Sequence, residues 1–171
     1  MKVQWYVFAG VCVFGMVYWT VRRKVYPKPK VIKGMKSLLI SQVIKNVQEA
    51  KGRSDKVNIL QSNMCPALVG ILRMNFDDDL ELDVDLNLQY RPRKEMDWVE
   101  TLNSSTKTWR GFTKQSIVPQ NKKNLRLKAM LESLEPREAA LFMDAANKRL
   151  RLGMSKSVLS NCFPNLFKSN S

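Results

Sequence analysis

The chain has 171 residues, 29 Lys and Arg against 15 Asp and Glu, a net charge of +14 and no histidine. The missing histidine excludes mixed-ligand zinc sites, Ser-His and Cys-His nucleophilic pairs and histidine acid–base catalysis. Cys12, Cys65 and Cys162 show no paired spacing, so free, mostly buried thiols in a reducing compartment are expected.

The first element is the most apolar. Trp5 to Val21, WYVFAGVCVFGMVYWTV, contains no charge, and Thr20 is its one clearly polar residue. Counted from Val3 it makes nineteen residues, about 28 Å of helix at ~1.5 Å per residue, close to the ~30 Å hydrocarbon core of a bilayer. Trp5 and Tyr6 at one end, and Tyr18 and Trp19 at the other, stand where amphipathic rings settle at the membrane–water interfaces. A cleaved signal peptide would end in small residues, whereas this run ends in bulky aromatics and then Arg22, Arg23 and Lys24. A core helix of a soluble protein would show a polar face, and this run is apolar all round. The expectation is a retained single-pass transmembrane anchor over residues 1–24. Gly10 and Gly15 are five apart, which is not the four-residue spacing of a close-packed helix dimer.

Charge is unevenly distributed. Residues 1–36 carry eight basic and no acidic residues, residues 37–100 eight against eleven, and residues 101–171 thirteen against four. Only Lys2 precedes the apolar run, while Arg22, Arg23, Lys24, Lys28, Lys30, Lys33 and Lys36 follow it. The positive-inside rule then places the rest of the chain on the cytoplasmic side. The same cluster is attracted to anionic headgroups, at about 1 kcal/mol per basic residue near the surface. Pro27 and Pro29 stop the helix and favour an extended spacer, so residues 25–36 read as a basic linker and 37–171 as one helical domain.

From Ser37 the period is helical, with Ile40, Val43, Ile44 and Val47 on one face and Gly52 as the expected end. Ser54 is positioned to cap a short helix with Val57, Leu60 and Met64 inward, and Pro66 to open the helix PALVGILRM. The period then changes. Leu80, Leu82, Val84, Leu86, Leu88 and Tyr90 alternate with Asp79, Glu81, Asp83, Asp85, Asn87 and Gln89, giving an extended arm with an apolar and an acidic edge. No second segment alternates as well, so the arm either lies flat across helices or pairs with another chain by strand addition. Carboxylates suit calcium or magnesium, but alternate residues of an extended arm stand almost ~7 Å apart along a line and do not surround a point. Neutralising the basic faces that follow is the simpler role.

A helix is expected over residues 97–117, with Trp98, Leu102, Ser105, Trp109 and Phe112 on one face and Lys107, Arg110 and Lys114 on another. Aromatics beside cations are what single-stranded nucleic-acid binders use; at helical spacing the same aromatics make a core. Pro119 opens a helix with Leu127, Met130, Leu131 and Leu134 inward, and Pro136 another with Ala139, Phe142, Met143 and Ala146 inward. Ser155 caps a last helix with Val158, Leu159, Cys162 and Phe163 inward. Lys122, Lys123, Arg126, Lys148, Arg149 and Arg151 are left facing outward. With Lys107, Arg110 and Lys114 they form the candidate anion-binding set.

The run AKGRSDKVNIL, PALVGILRMNFD, YRP, QNKKNLRLKAMLESLEPREAALFMDAANKRL and LSNCFPNLF resembles a family of small uncharacterised proteins of large tailed bacteriophages, over about residues 37–167. Its most specific part is C-terminal. The family's Gln-x-Lys-Arg opening, Leu-Leu-Glu-x-Leu centre and Lys-Lys-Leu close correspond here to Gln120-Asn121-Lys122-Lys123, Met130-Leu131-Glu132-Ser133-Leu134 and Lys148-Arg149-Leu150. The acidic arm stands where the family is proline-rich, and the anchor is an addition to a generally soluble family. The resemblance implies a phage origin and a helical domain, and it brings no activity or catalytic residues.

The expectation is therefore a mainly all-α, membrane-anchored binding protein, with no catalytic residues, no metal and no cofactor, held at the host inner membrane with its domain in the cytoplasm. Its partner is an anionic membrane surface or another protein. Two alternatives remain: a nucleic-acid or replication-associated factor, and a virion component whose apolar N-terminus packs into an assembly.

Overall fold

The computed structural model describes residues 38–91 and 100–167. The expected anchor with Trp5, Tyr6, Tyr18 and Trp19, the juxtamembrane Arg22, Arg23, Lys24, Lys28 and Lys30, and Trp98 lie outside the described residues. Among the described residues no helix is long and apolar enough to cross a membrane.

Seven α-helices follow one another among them: α1 (Ile40–Glu49), α2 (Arg53–Ser62), α3 (Pro66–Phe76), α4 (Leu102–Trp109), α5 (Gln120–Ser133), α6 (Pro136–Ala146) and α7 (Lys156–Cys162). A 3-10 turn, Arg110–Phe112, continues α4. No strand forms among the described residues, so the described part is all-α, as its helical period predicts.

Helix α1 buries Ile40, Val43, Ile44 and Val47. It stops at Glu49, earlier than expected, and Gly52 is instead the residue that enters α2 in extended conformation. Ser54 therefore lies inside α2 and does not cap it. Leu60 is buried, but Met64 stands out of the core, a correction to the expected face. The cause is local: Pro66 forces Cys65 out of the helical region, so α2 ends at Ser62 before Met64 can turn inward. Pro66 then takes the first position of α3, where its missing N–H leaves nothing unpaired.

Helix α3 is central. It buries Ala67, Leu68, Ile71, Leu72 and Met74 and packs against α4 and α6, while α1 packs against α2 and α6. Trp109 meets Phe142 edge-on at 5.3 Å between ring centroids, and Phe112 meets the same ring at 6.5 Å. A Cβ on Gly70 would fall 2.4 Å from the Trp109 ring, so the indole lies directly on the α3 backbone.

The expected helix over 97–117 is shorter. A reciprocal Thr101–Ser104 capping box starts it at Leu102. Its continuation ends at Phe112 because the next residues are bound by the arm: the Asp83 N–H donates to the Phe112 carbonyl at 2.8 Å and the Lys114 N–H to the Glu81 carbonyl at 3.1 Å. Those bonds frame a single antiparallel bridge, Leu82 to Thr113. The rest of the arm lies flat on the helices. Val84 is buried and Leu80, Leu82, Leu86, Leu88 and Tyr90 are half-buried against the core, while Glu81, Asp85, Asn87 and Gln89 are exposed. In place of a partner strand, side chains take its amides: Asp85 N–H donates to Asn124 Oδ1 at 2.9 Å and Arg91 N–H to Glu132 Oε1 at 3.3 Å.

Candidate functional site

The candidate cations divide into those the protein uses itself and those it leaves in water. Lys123 is a correction. Expected outward, it is 1% exposed. It continues the inner face of α5 one turn before Leu127, and its Nζ donates to Asp83 Oδ2 and to the Thr113 carbonyl, both at 2.8 Å. An ammonium at that depth needs such partners. Lys114 is paired with Glu81, which holds that carboxyl below and the Lys114 ammonium above their usual pKa ranges. Lys148, in the left-handed turn after α6 at φ 58°, donates its Nζ to the Asp77 carbonyl. Lys156 reaches Asp78 at 2.7 Å, and Arg73 reaches Asp77 at 3.2 Å. The acidic arm thus holds lysines from every side, in keeping with the charge-balancing role read from its sequence.

Lys107, Arg110, Lys122, Arg126, Arg149 and Arg151 are exposed and make no ion pair among the described residues. Lys128, which the sequence reading passed over, joins them on α5. Ile117 and Leu125 were also passed over. They are 100% and 68% exposed, and the inner-face spacing of α5 leaves Leu125 outside by simple counting.

Two clefts flank the arm. One, about 290 Å³, is lined by Gly70, Trp109, Phe112, Phe142, Leu80 and Leu82 with Arg73 and Arg110 among its walls. The other, about 330 Å³, is lined by Asp78, Glu81, Lys114 and Lys148, side chains already satisfied within the protein. The indole N–H of Trp109 donates to Ser105 Oγ at 3.1 Å. Its ring and that of Phe112 line the first cleft beside Arg110, but they are 9% and 1% exposed and serve the core, so they present no open stacking platform.

The buried polar centre is one that sequence reasoning missed. Glu138 is fully buried, and its carboxylate accepts from Ile40 N–H at 2.6 Å and Ser41 N–H at 3.4 Å on one oxygen, and from Leu102 N–H at 2.7 Å on the other. One side chain on α6 therefore caps both α1 and α4, where the helix macrodipoles favour negative charge. Burial pushes the Glu138 carboxyl up, and the three N–H bonds pull against it. The local signal was Glu135-Pro136-Arg137-Glu138: Glu135 accepts from Glu138 N–H at 2.9 Å as the α6 cap. Among the described residues no three His, Cys, Asp or Glu side chains gather to hold a metal ion.

Compared with family models, with curated proteins and with solved structures, the chain matches none.

Proposed function

We propose that the protein is a non-enzymatic, phage-type accessory protein, anchored by its N-terminal apolar run, whose basic helical domain binds the anionic surface of that same membrane from the cytoplasmic side. The observation that supports it is the outer side of α5, where Lys122, Arg126 and Lys128 stand exposed and unpaired among the described residues beside exposed Leu125. Three basic side chains near an anionic leaflet contribute about 3 kcal/mol, at ~1 kcal/mol each. A free domain then binds where salt is low and lipid is in the millimolar range, and a tethered one binds more readily, because a short linker supplies a millimolar-scale effective concentration.

Nucleic acid is the second reading, favoured by exposed Lys107 and Arg110 on α4. With Trp109 and Phe112 packed inside, only phosphate contacts remain to it. The test uses the chain from Val31 onward, which contains every described core residue. It is expected to sediment with phosphatidylglycerol vesicles at low salt, to be released as salt rises, and to ignore phosphatidylcholine vesicles. Changing Lys122, Arg126 and Lys128 together to Gln should abolish sedimentation. Tight salt-sensitive binding to single-stranded DNA with no vesicle binding would replace the proposal with the second reading.

A further inference from the structure

Of the four large apolar side chains that stand exposed among the described residues, one, Leu125, lies on the outer side of α5 and a second, Ile117, in the turn that leads into it; the others are Leu38 and Met64. Neither is overflow from the core. The inner side of α5 is complete with Lys123, Leu127, Met130 and Leu131, and Leu125 lies two residues from both Lys123 and Leu127, about 200° around the helix from each. Ile117 is wholly exposed in the turn three residues before the first residue of α5.

The neighbours of Leu125 decide what such a residue fits. Residues three and four apart share a helix side, so Leu125 is bordered by Asn121 and Lys122 before it and by Lys128 and Ala129 after it, all exposed. Arg126 follows Lys122 by one turn. An aliphatic centre ringed by long cations matches an anionic lipid interface: the apolar tip enters the headgroup–acyl boundary while the cationic stems lie alongside and their heads reach the phosphates. A nucleic-acid backbone offers nothing for branched aliphatic side chains to bury against, and an acidic protein groove would have to supply apolar depth as well as charge.

We propose that this side of α5, with the Ile117 turn, is a lipid-inserting surface: Leu125 and Ile117 enter the interface of an anionic leaflet and Lys122, Arg126 and Lys128 hold its phosphates. The inference rests on the membrane-surface reading above and adds which face meets the bilayer and that it inserts.

The test uses the full chain in lipid nanodiscs, with Cys12, Cys65 and Cys162 changed to Ser and Leu125→Cys carrying an environment-sensitive fluorophore. A reference label is placed at Ala140→Cys, exposed on α6. In phosphatidylglycerol discs the label at position 125 is expected to be quenched by nitroxide lipid and shielded from iodide, and in phosphatidylcholine discs the reverse. Changing Lys122 and Lys128 to Gln should return it to the phosphatidylcholine behaviour. If position 125 stays iodide-accessible while energy transfer from position 140 to a lipid dye still rises in phosphatidylglycerol, the charge reading stands and insertion is overturned. If that transfer does not rise either, the membrane-surface reading falls with it. In the unlabelled chain from Val31 onward, Ile117→Ser with Leu125→Ser removes only exposed apolar surface. It should weaken phosphatidylglycerol binding several-fold with an unchanged melting curve; unchanged binding overturns insertion.

Discussion

Glu138 on α6 ties the starts of α1 and α4 together, and the consequences of removing it are large for that reason. Glu138→Ala would strand the buried N–H groups of Ile40 and Leu102 and release the half-buried one of Ser41. At ~1–3 kcal/mol for each unsatisfied buried donor, the loss should be about 3 kcal/mol by urea unfolding. The pH dependence follows from burial, which raises the folded pKa of this carboxyl. A carboxyl whose folded pKa lies above its unfolded value, about 4.3 for Glu, contributes its full stability below that value and loses it as pH rises through the folded one. The stability gap between wild type and Glu138→Gln should therefore be wider near pH 4 than near pH 7. A gap that widened toward neutral pH would mean that the three N–H donors outweigh desolvation. Lys123 gives the paired contrast: Lys123→Ala leaves Asp83 and the Thr113 carbonyl without their shared donor and should cost about 3 kcal/mol, while Lys122→Ala on the outer side should stay within ~0.5 kcal/mol of wild type.

At the scale of elements, the contact between α3 and α4 depends on one absent side chain. Gly70→Ala improves helix propensity by ~1 kcal/mol, yet its Cβ would overlap the Trp109 ring, with the nearest ring carbon at 2.4 Å. Overpacking of that kind costs about 1–3 kcal/mol, so the variant should lose stability despite its better propensity, and tryptophan emission should shift as the indole is displaced. The helices themselves were legible in the sequence: the inward face of α1 read directly from its 3.6-residue spacing, those of α5 and α6 read in part, with Lys123, Leu141 and Ala145 missed and Met143 only half-buried, and Pro66 and Pro136 marked two helix starts correctly. Apart from the local effect of Pro66 on Met64, what escaped were mainly features fixed by partners distant in sequence. The end of the α4 continuation depends on Glu81 and Asp83, some thirty residues earlier. The inward turn of Lys123 depends on Asp83, and no periodicity reports an ion pair. The arm shows the same division: its alternation gave the buried edge, but only the structure supplied Asn124 and Glu132 as the acceptors that replace a partner strand.

Across the whole molecule, the arm decides how much of the charge of the basic C-terminal third remains for a partner. Residues 101–171 hold thirteen basic and four acidic residues, yet Lys114 and Lys123 are held by the arm carboxylates of Glu81 and Asp83, and Lys156 and Lys148 by Asp78 and the Asp77 carbonyl between α3 and the arm. The free cations on α5 are thus among the charge that folding leaves over, and none of them pairs with a carboxylate among the described residues. Pairing also makes this division pH-dependent. Lys156 beside Asp78, and Lys114 beside Glu81, hold those carboxyls below their ordinary range, so each pair contributes stability above that range and loses it as pH falls through the lowered folded values. Acid should therefore loosen the arm and expose further lysines. The protection of arm amides such as that of Asp83, measured against the intrinsic exchange rate at each pH, is expected to fall below about pH 4 before the inner faces of α1 and α6 open. Vesicle binding by the chain from Val31 onward should strengthen over the same interval, provided the vesicles stay anionic, and sulfate-bearing lipid meets that condition. Lost protection without stronger binding would mean that the released lysines face away from the proposed lipid-facing side, leaving α5 alone to carry that proposal.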